Sequence, residues 1–193
     1  MKKAVLGLVL SICLVTVACT VDQVLTDINL LIQTAGSIET AIGAVAPADA
    51  AIVAGLTSIA SKGLSAIQSA YDTYKQTQAQ TDLEKLDAAI AAVKTNLPAE
   101  LAAAHVYSPA AQAKCAAWVN LTVTTLDAVS ELLPELQTAQ TANAKAAVVQ
   151  KAAAKPNLAP QTIQARWSKE VCQGDAKCSK LVGTRSKFWP FRR

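Results

Sequence analysis

The sequence predicts an all-α protein, an antiparallel four-helix bundle followed by a basic, partly irregular C-terminal tail. Three observations predict it. Apolar residues recur at three- and four-residue steps from Val21 to Leu133, the spacing that lines one face of a helix. Glycine and proline number only seven each, and most fall at the breaks in this periodicity. The breaks are short, and four long helices with short connections must alternate in direction to pack their apolar faces together.

The first helix is expected from about Val21 to Val45, on Ile28, Leu31, Ala35, Ile38 and Ile42. Pro47 interrupts, and its fixed φ suits the first turn of a second helix, which runs on Ile52, Leu56, Ile59, Ile67 and Tyr74 to about Gln80. Thr81-Asp82-Leu83-Glu84 resembles a capping box and opens a third helix on Leu83, Leu86, Ile90, Val93 and Leu97. Pro98 kinks this helix or starts a fresh turn. Ser108-Pro109 reads as an N-cap with proline at the first helical position. A fourth helix follows on Cys115, Trp118, Val119, Thr122, Leu126, Val129 and Leu133, and Pro134 kinks or ends it. Gly36, Gly43, Gly55 and Gly63 are expected at helix seams, with Tyr71, Tyr74, Tyr107 and Trp118 plugging the interior. Residues 138–155 form a low-complexity helical stretch, and 155–160 a linker. Pro160 then opens a short helix on Ile163, Trp167 and Val171. The organisation expected is a signal peptide over 1–18, a helical bundle over 19–140, an Ala-rich helix and linker over 141–160, and a basic Cys/aromatic tail over 161–193.

Residues 1–19 carry an address. Lys2 and Lys3 precede an almost unbroken apolar run from Ala4 to Ala18, and Cys19 follows. A basic start, an apolar run and a small residue before the cut define an export signal. Val15-Thr16-Val17-Ala18-Cys19 resembles the lipobox of bacterial lipoproteins. The resemblance covers about a tenth of the chain. It implies cleavage before Cys19, lipidation of its thiol with acyl chains such as palmitate, and a mature chain of 175 residues tethered to a membrane. By the same resemblance, Thr20 stands where an Asp would retain the protein in the inner membrane, which implies the periplasmic side of the outer membrane. Two other readings of these residues stay open: ordinary cleavage near Ala18 without lipid, and an uncleaved anchor. The 15 residues of Ala4 to Ala18 fall short of the roughly 20 a spanning helix needs. No later stretch reaches 18 apolar residues without a charge, so a second span is not expected.

The net charge of +4 hides an asymmetry. Residues 19–150 hold six lysines and twelve acids, a net of −6, whereas residues 151–193 hold ten basic side chains and two acids, a net of +8. The terminal Lys187, Phe188, Trp189, Phe191, Arg192 and Arg193 mix cations with aromatics. They suit contact with anionic lipid, lipopolysaccharide, an acidic wall polymer or an envelope protein, and equally suit docking on the chain's own acidic body. An exported protein is not expected to meet nucleic acid.

After removal of Cys13 with the signal and use of Cys19 for lipid, Cys115, Cys172 and Cys178 remain. Three thiols allow one bridge in three pairings. The local pair Cys172–Cys178 is favoured, because Gly174 and Asp175 can turn the chain between them.

Catalytic chemistry finds little footing. His105 is the only histidine, and no Glu-x-x-His pair exists for a di-metal site. Asp82, Glu84 and Asp87, like Asp127, Glu131 and Glu135, occupy helix starts or exposed flanks, where acids favour the helix dipole or solvation. The chain lacks a Gly-x-Ser-x-Gly elbow and a glycine-rich phosphate loop. Asn120-Leu121-Thr122 matches a glycosylation sequon but falls within a helix. The sequence therefore suggests no metal, no cofactor and no enzyme. It suggests a binding or scaffolding module in the cell envelope, with a membrane-active helical protein as the alternative.

Overall fold

In a computed structural model the described residues are 26–134 and 160–183, and they are all-α, with no strand among them. Helix α1 covers 26–43. A 3-10 turn, Pro47–Asp49, leads into α2, Ala50–Thr77. Helix α3 is Gln80–Ala103 and α4 is Pro109–Ser130. The C-terminal segment comprises α5, Pro160–Arg166, a π-helical turn Trp167–Val171, and α6, Ala176–Gly183. Within the stretch expected as a partly irregular tail, residues 160–171 and 176–183 are helical and 172–175 form an irregular turn between them. The Ala-rich stretch over 138–155 lies outside the described residues.

Most of the expected apolar periodicity is what the long helices bury, but Ile59, expected on the core face of α2, is 42% exposed. Ile28, Leu31, Ala35, Ile38 and Ile42 of α1 are fully buried, as are Leu64 and Ile67 of α2 and Leu86 and Ile90 of α3. Each such Leu or Ile contributes about 1.5–3 kcal/mol by leaving water. The core divides into two clusters. One joins Ile28, Leu31, Ile67, Tyr71, Leu86 and Val129 near the α2–α3 connection. The other joins Ile42, Leu56, Leu97 and Trp118 to Ile163, Trp167 and Val171 of the C-terminal segment.

Helices α2 and α3 run antiparallel, for Gly63 meets Val93 while Thr77 bonds Asp82 near the turn. A Cβ at Gly63 would stand 2.6 Å from Val93 Cγ2, so glycine is required for this approach. Gly36, Gly43 and Gly55, expected to do the same, have open space where a Cβ would lie. Helix α4 reaches α1 through Trp118 Nε1, which donates to Thr34 Oγ1 at 3.2 Å, and reaches α3 through Asp127 paired with Lys94. Segment α5 packs antiparallel along α4: Arg166 bonds Thr124 and Val171 lies at Lys114.

The ends of the helices differ from expectation in instructive ways. Helix α3 does not begin at a Thr81 capping box. Its N-cap is Ala79, without a side-chain cap, and Thr81 falls inside the first turn. The two-residue connection Gln78-Ala79 forces the earlier start: Gln78 takes a left-handed φ of 51° and its N–H returns to Tyr74 O at 2.7 Å. Thr77 then supplies the polar contacts, accepting from Ala79 N–H and donating to Asp82 Oδ2 at 2.7 Å. Pro98 lies within α3, which continues to Ala103. Ser108 caps α4 as expected, accepting from Ala111 N–H at 3.4 Å, with Pro109 at the first position. Tyr71 and Trp118 plug the interior, but Tyr107 is 78% exposed. It sits in the α3–α4 loop, whose backbone rather than whose ring is anchored.

Candidate functional site

The lipidation residue Cys19 and the terminal Lys187, Phe188, Trp189, Phe191, Arg192 and Arg193 lie outside the described residues. Of the positions singled out in the sequence, Cys172 and Cys178 are brought together, with an S–S distance of 2.05 Å. Cys115 is the free thiol and is fully buried. Burial, and then the neighbouring Asp49 carboxylate, push it up to about 11. At neutral pH it is a protonated core residue rather than a nucleophile.

The disulfide closes a compact C-terminal clamp against α4. Trp167 is fully buried and donates from Nε1 to Cys178 O at 3.3 Å. Asp175 caps α6, accepting at Oδ1 from Lys177 N–H at 2.8 Å and Cys178 N–H at 3.3 Å. Those N–H groups hold its carboxyl below the usual range. Arg166 grips Glu170 through Nε and Nη2 and reaches Thr124 Oγ1 at 2.7 Å. At the end of the π-helical turn Cys172 O accepts from Asp175 N–H at 2.9 Å, and Lys114 serves the carbonyl beside it. Its ammonium is buried and donates to Val171 O at 3.0 Å and Cys172 O at 3.5 Å. The cation also lies favourably at the negative end of that helical turn. Sequence reasoning passed over Lys114. A signal was present: Ala111, Lys114, Cys115 and Trp118 occupy one helical face, and a lysine on an apolar face needs acceptors.

Two aspartates missed in the sequence are also buried. Asp49 ties the start of α2 to the α3–α4 loop, accepting from Tyr107 N–H and Ser108 N–H at 2.9 Å each. Asp27, on α1, has neither carboxylate oxygen hydrogen-bonded, and burial pushes it up to about 8. Of the carboxylates weighed in the sequence, Asp82 serves locally and Asp127 links α4 to α3. Hydrogen bonds from Lys85 and then Thr77 lower Asp82, and Asp127 pairs with Lys94. His105 is exposed, with Nδ1 3.0 Å from Ala103 O at the end of α3. Among the described residues no group of three or more His, Cys, Asp or Glu is placed to hold a metal ion.

One concavity opens on the surface of the α2–α3 hairpin. It is an apolar hollow of about 160 Å³, lined by Ile59, Gly63 and Ala66 on α2 and by Ala89, Ala92 and Asn96 on α3. No titratable side chain lines it. Its chemistry is that of a packing socket rather than a reaction site. No protein-family model, no curated protein and no solved structure matches the chain.

Proposed function

We propose that the chain is an exported lipoprotein, tethered by acyl groups on Cys19, that serves as a non-enzymatic binding or scaffolding module in the cell envelope. The carrying observation is the leader: Lys2-Lys3, the apolar run Ala4 to Ala18, and Cys19 directly after Val17-Ala18. Each buried methylene contributes about 0.8 kcal/mol, so two or three acyl chains make attachment effectively permanent. The Cys172–Cys178 bridge suits an oxidising compartment, as an export signal requires. The tether is read to the periplasmic side of the outer membrane, because Thr20 follows Cys19. We read α1–α4 as an antiparallel four-helix bundle, in which the short α2–α3 connection and the Trp118–Thr34 contact between α4 and α1 set the neighbours. The terminal Lys187 to Arg193 run extends the contact surface toward anionic lipid, lipopolysaccharide, wall polymer or a protein of the envelope.

Intact mass of the protein extracted from its native host tests this reading. The expected mass lacks residues 1–18 and carries acyl groups at Cys19. A chain that retains Met1 and is recovered from the cytoplasm overturns it. A second reading, a membrane-active protein, draws on one observation. The stretch Pro47–Thr77 is long and apolar enough, by length and composition, to cross a membrane. Dye release from liposomes by the purified chain separates the two readings.

A further inference from the structure

Helices α1 and α4 meet in opposite order. Ile38 and Ile42 cluster with Ala111 and Cys115, whereas Ile28 and Leu31 cluster with Leu126 and Val129. The bond from Trp118 Nε1 to Thr34 Oγ1 fixes the register between the two helices. Asp27 lies seven residues before Thr34, and Thr125 seven residues after Trp118. Seven residues make about two turns, so Asp27 falls on the Thr34 face of α1, level with Thr125. A buried polar line runs along this seam. Asp27 and Thr34 from α1 and Trp118, Thr122 and Thr125 from α4 are each at most 1% exposed.

Every side-chain donor on that line is committed elsewhere. Thr34 donates to Leu31 O, Thr122 to Trp118 O and Thr125 to Leu121 O, while the Trp118 indole serves Thr34. Asp27 is left with neither oxygen hydrogen-bonded. A carboxylate so placed lacks both a donor and a cation, whereas the protonated carboxyl is neutral and costs far less to bury. The other ionisable groups at this end are Tyr71 and Tyr74 from α2, and Asp82 from α3, which Thr77 and Lys85 hold. From α4 come Asp127, paired with Lys94 of α3, and Glu131 just past the helix, which is exposed. None of them shifts Asp27, whose rise to about 8 has burial as its cause.

We propose that the α1–α4 seam is a proton-operated latch, closed while Asp27 holds a proton and opened at the start of α1 when that proton leaves. Thr34 marks the limit of the opening, because its bond to Trp118 and the burial of Ile38 and Ile42 keep the rest of α1 seated. Opening bares Ile28 and Leu31 of α1 together with Leu126 and Val129 of α4, so the chain gains apolar surface as pH rises. This does not depend on the lipid tether. The test is amide hydrogen exchange of the full chain at about pH 6 and about pH 9, each rate corrected for the intrinsic pH dependence, in wild type and Asp27→Asn. Protection over 27–33 falls roughly tenfold or more in the wild type between the two, while protection over 50–103 holds. Asp27→Asn keeps its protection at both. The Asp27 carboxyl carbon, followed by NMR in the wild type, titrates over the same alkaline range, a readout that needs no variant to fold. Titration in the ordinary aspartate range overturns the proposal. So does a loss of protection that Asp27→Asn shares, one spread evenly over α2 and α3, or no loss at all.

Discussion

Asp27 and Asp49 are each 1% exposed, yet their surroundings are opposite. Asp49 lies between α1 and α2, and both of its oxygens are met by N–H groups of a loop almost sixty residues away. Asp27 lies toward the other end of α1, beside Ile28 of the cluster near the α2–α3 connection, and neither oxygen is met. The same contrast separates the two halves of the core. The half that receives the C-terminal segment buries a lysine, a carboxylate and a disulfide, and its charged groups have partners. The other half is mostly aliphatic; it satisfies Asp82 locally through Thr77 and Lys85 but leaves Asp27 unsatisfied. A buried polar group ties a fold together where a distant segment supplies its partner, and becomes a titrating burden where none does.

The sharpest way to break the comparison is at the anchor of the satisfied half. Trp167→Ala removes a fully buried indole and its bond to Cys178 O. It is expected to cost about 3–5 kcal/mol in urea unfolding, and to expose residues 160–183 to protease before α2 and α3.

The unsatisfied half should respond to pH in a defined direction. The folded-state pKa of Asp27, about 8, lies above the ordinary 3.8, so the native chain holds a proton that the unfolded chain releases. Its contribution is least unfavourable below the unfolded value, and stability falls as pH rises from there, flattening above about 8. Asp27→Asn keeps the shape of the protonated form. It should match the wild type near pH 4 and exceed it by about 2–4 kcal/mol at pH 8.5, measured by denaturant unfolding at both pH values. A difference of equal size at the two pH values would remove titration as the cause.

A smaller change probes the lysine. Lys114→Met leaves the Val171 carbonyl without its side-chain donor, while Cys172 O keeps the Asp175 N–H, an expected loss of about 1–3 kcal/mol. Hydrogen exchange should locate it, with faster exchange in 160–183 and unchanged protection in the α2–α3 hairpin. The smallest effect is at the connection. Gln78 holds a left-handed φ of 51°, so Gln78→Gly should raise stability by about 1 kcal/mol, read as a higher melting temperature.

Legibility followed the range of the interaction. The helices were legible because burial recurs with the helical period, so Ile28, Leu31, Ile38, Leu86 and Ile90 announce their face without reference to a partner. The Ser108-Pro109 start was legible because an N-cap needs only the residues beside it. The Thr81 box misled because a local pattern competed with the tight Gln78-Ala79 connection, which fixed the register first. The glycines misled for a different reason: a seam needs a neighbour, and only Gly63 among the expected seam positions has one, Val93. Asp49 and Asp27 look in sequence like ordinary surface charges, and only the segments packed over them make them otherwise, whereas Lys114 stood on an apolar helical face.

The chain's own order of residues determined that it would be helical, where most of its helices would run, and that an acidic body would carry a basic C-terminal stretch. These follow from local spacing and composition. Tertiary structure alone decided which charges lost water and which found partners. Those outcomes depend on residues tens of positions apart, such as Asp49 with Tyr107 and Lys114 with Val171. Their contacts exist only once the helices have packed.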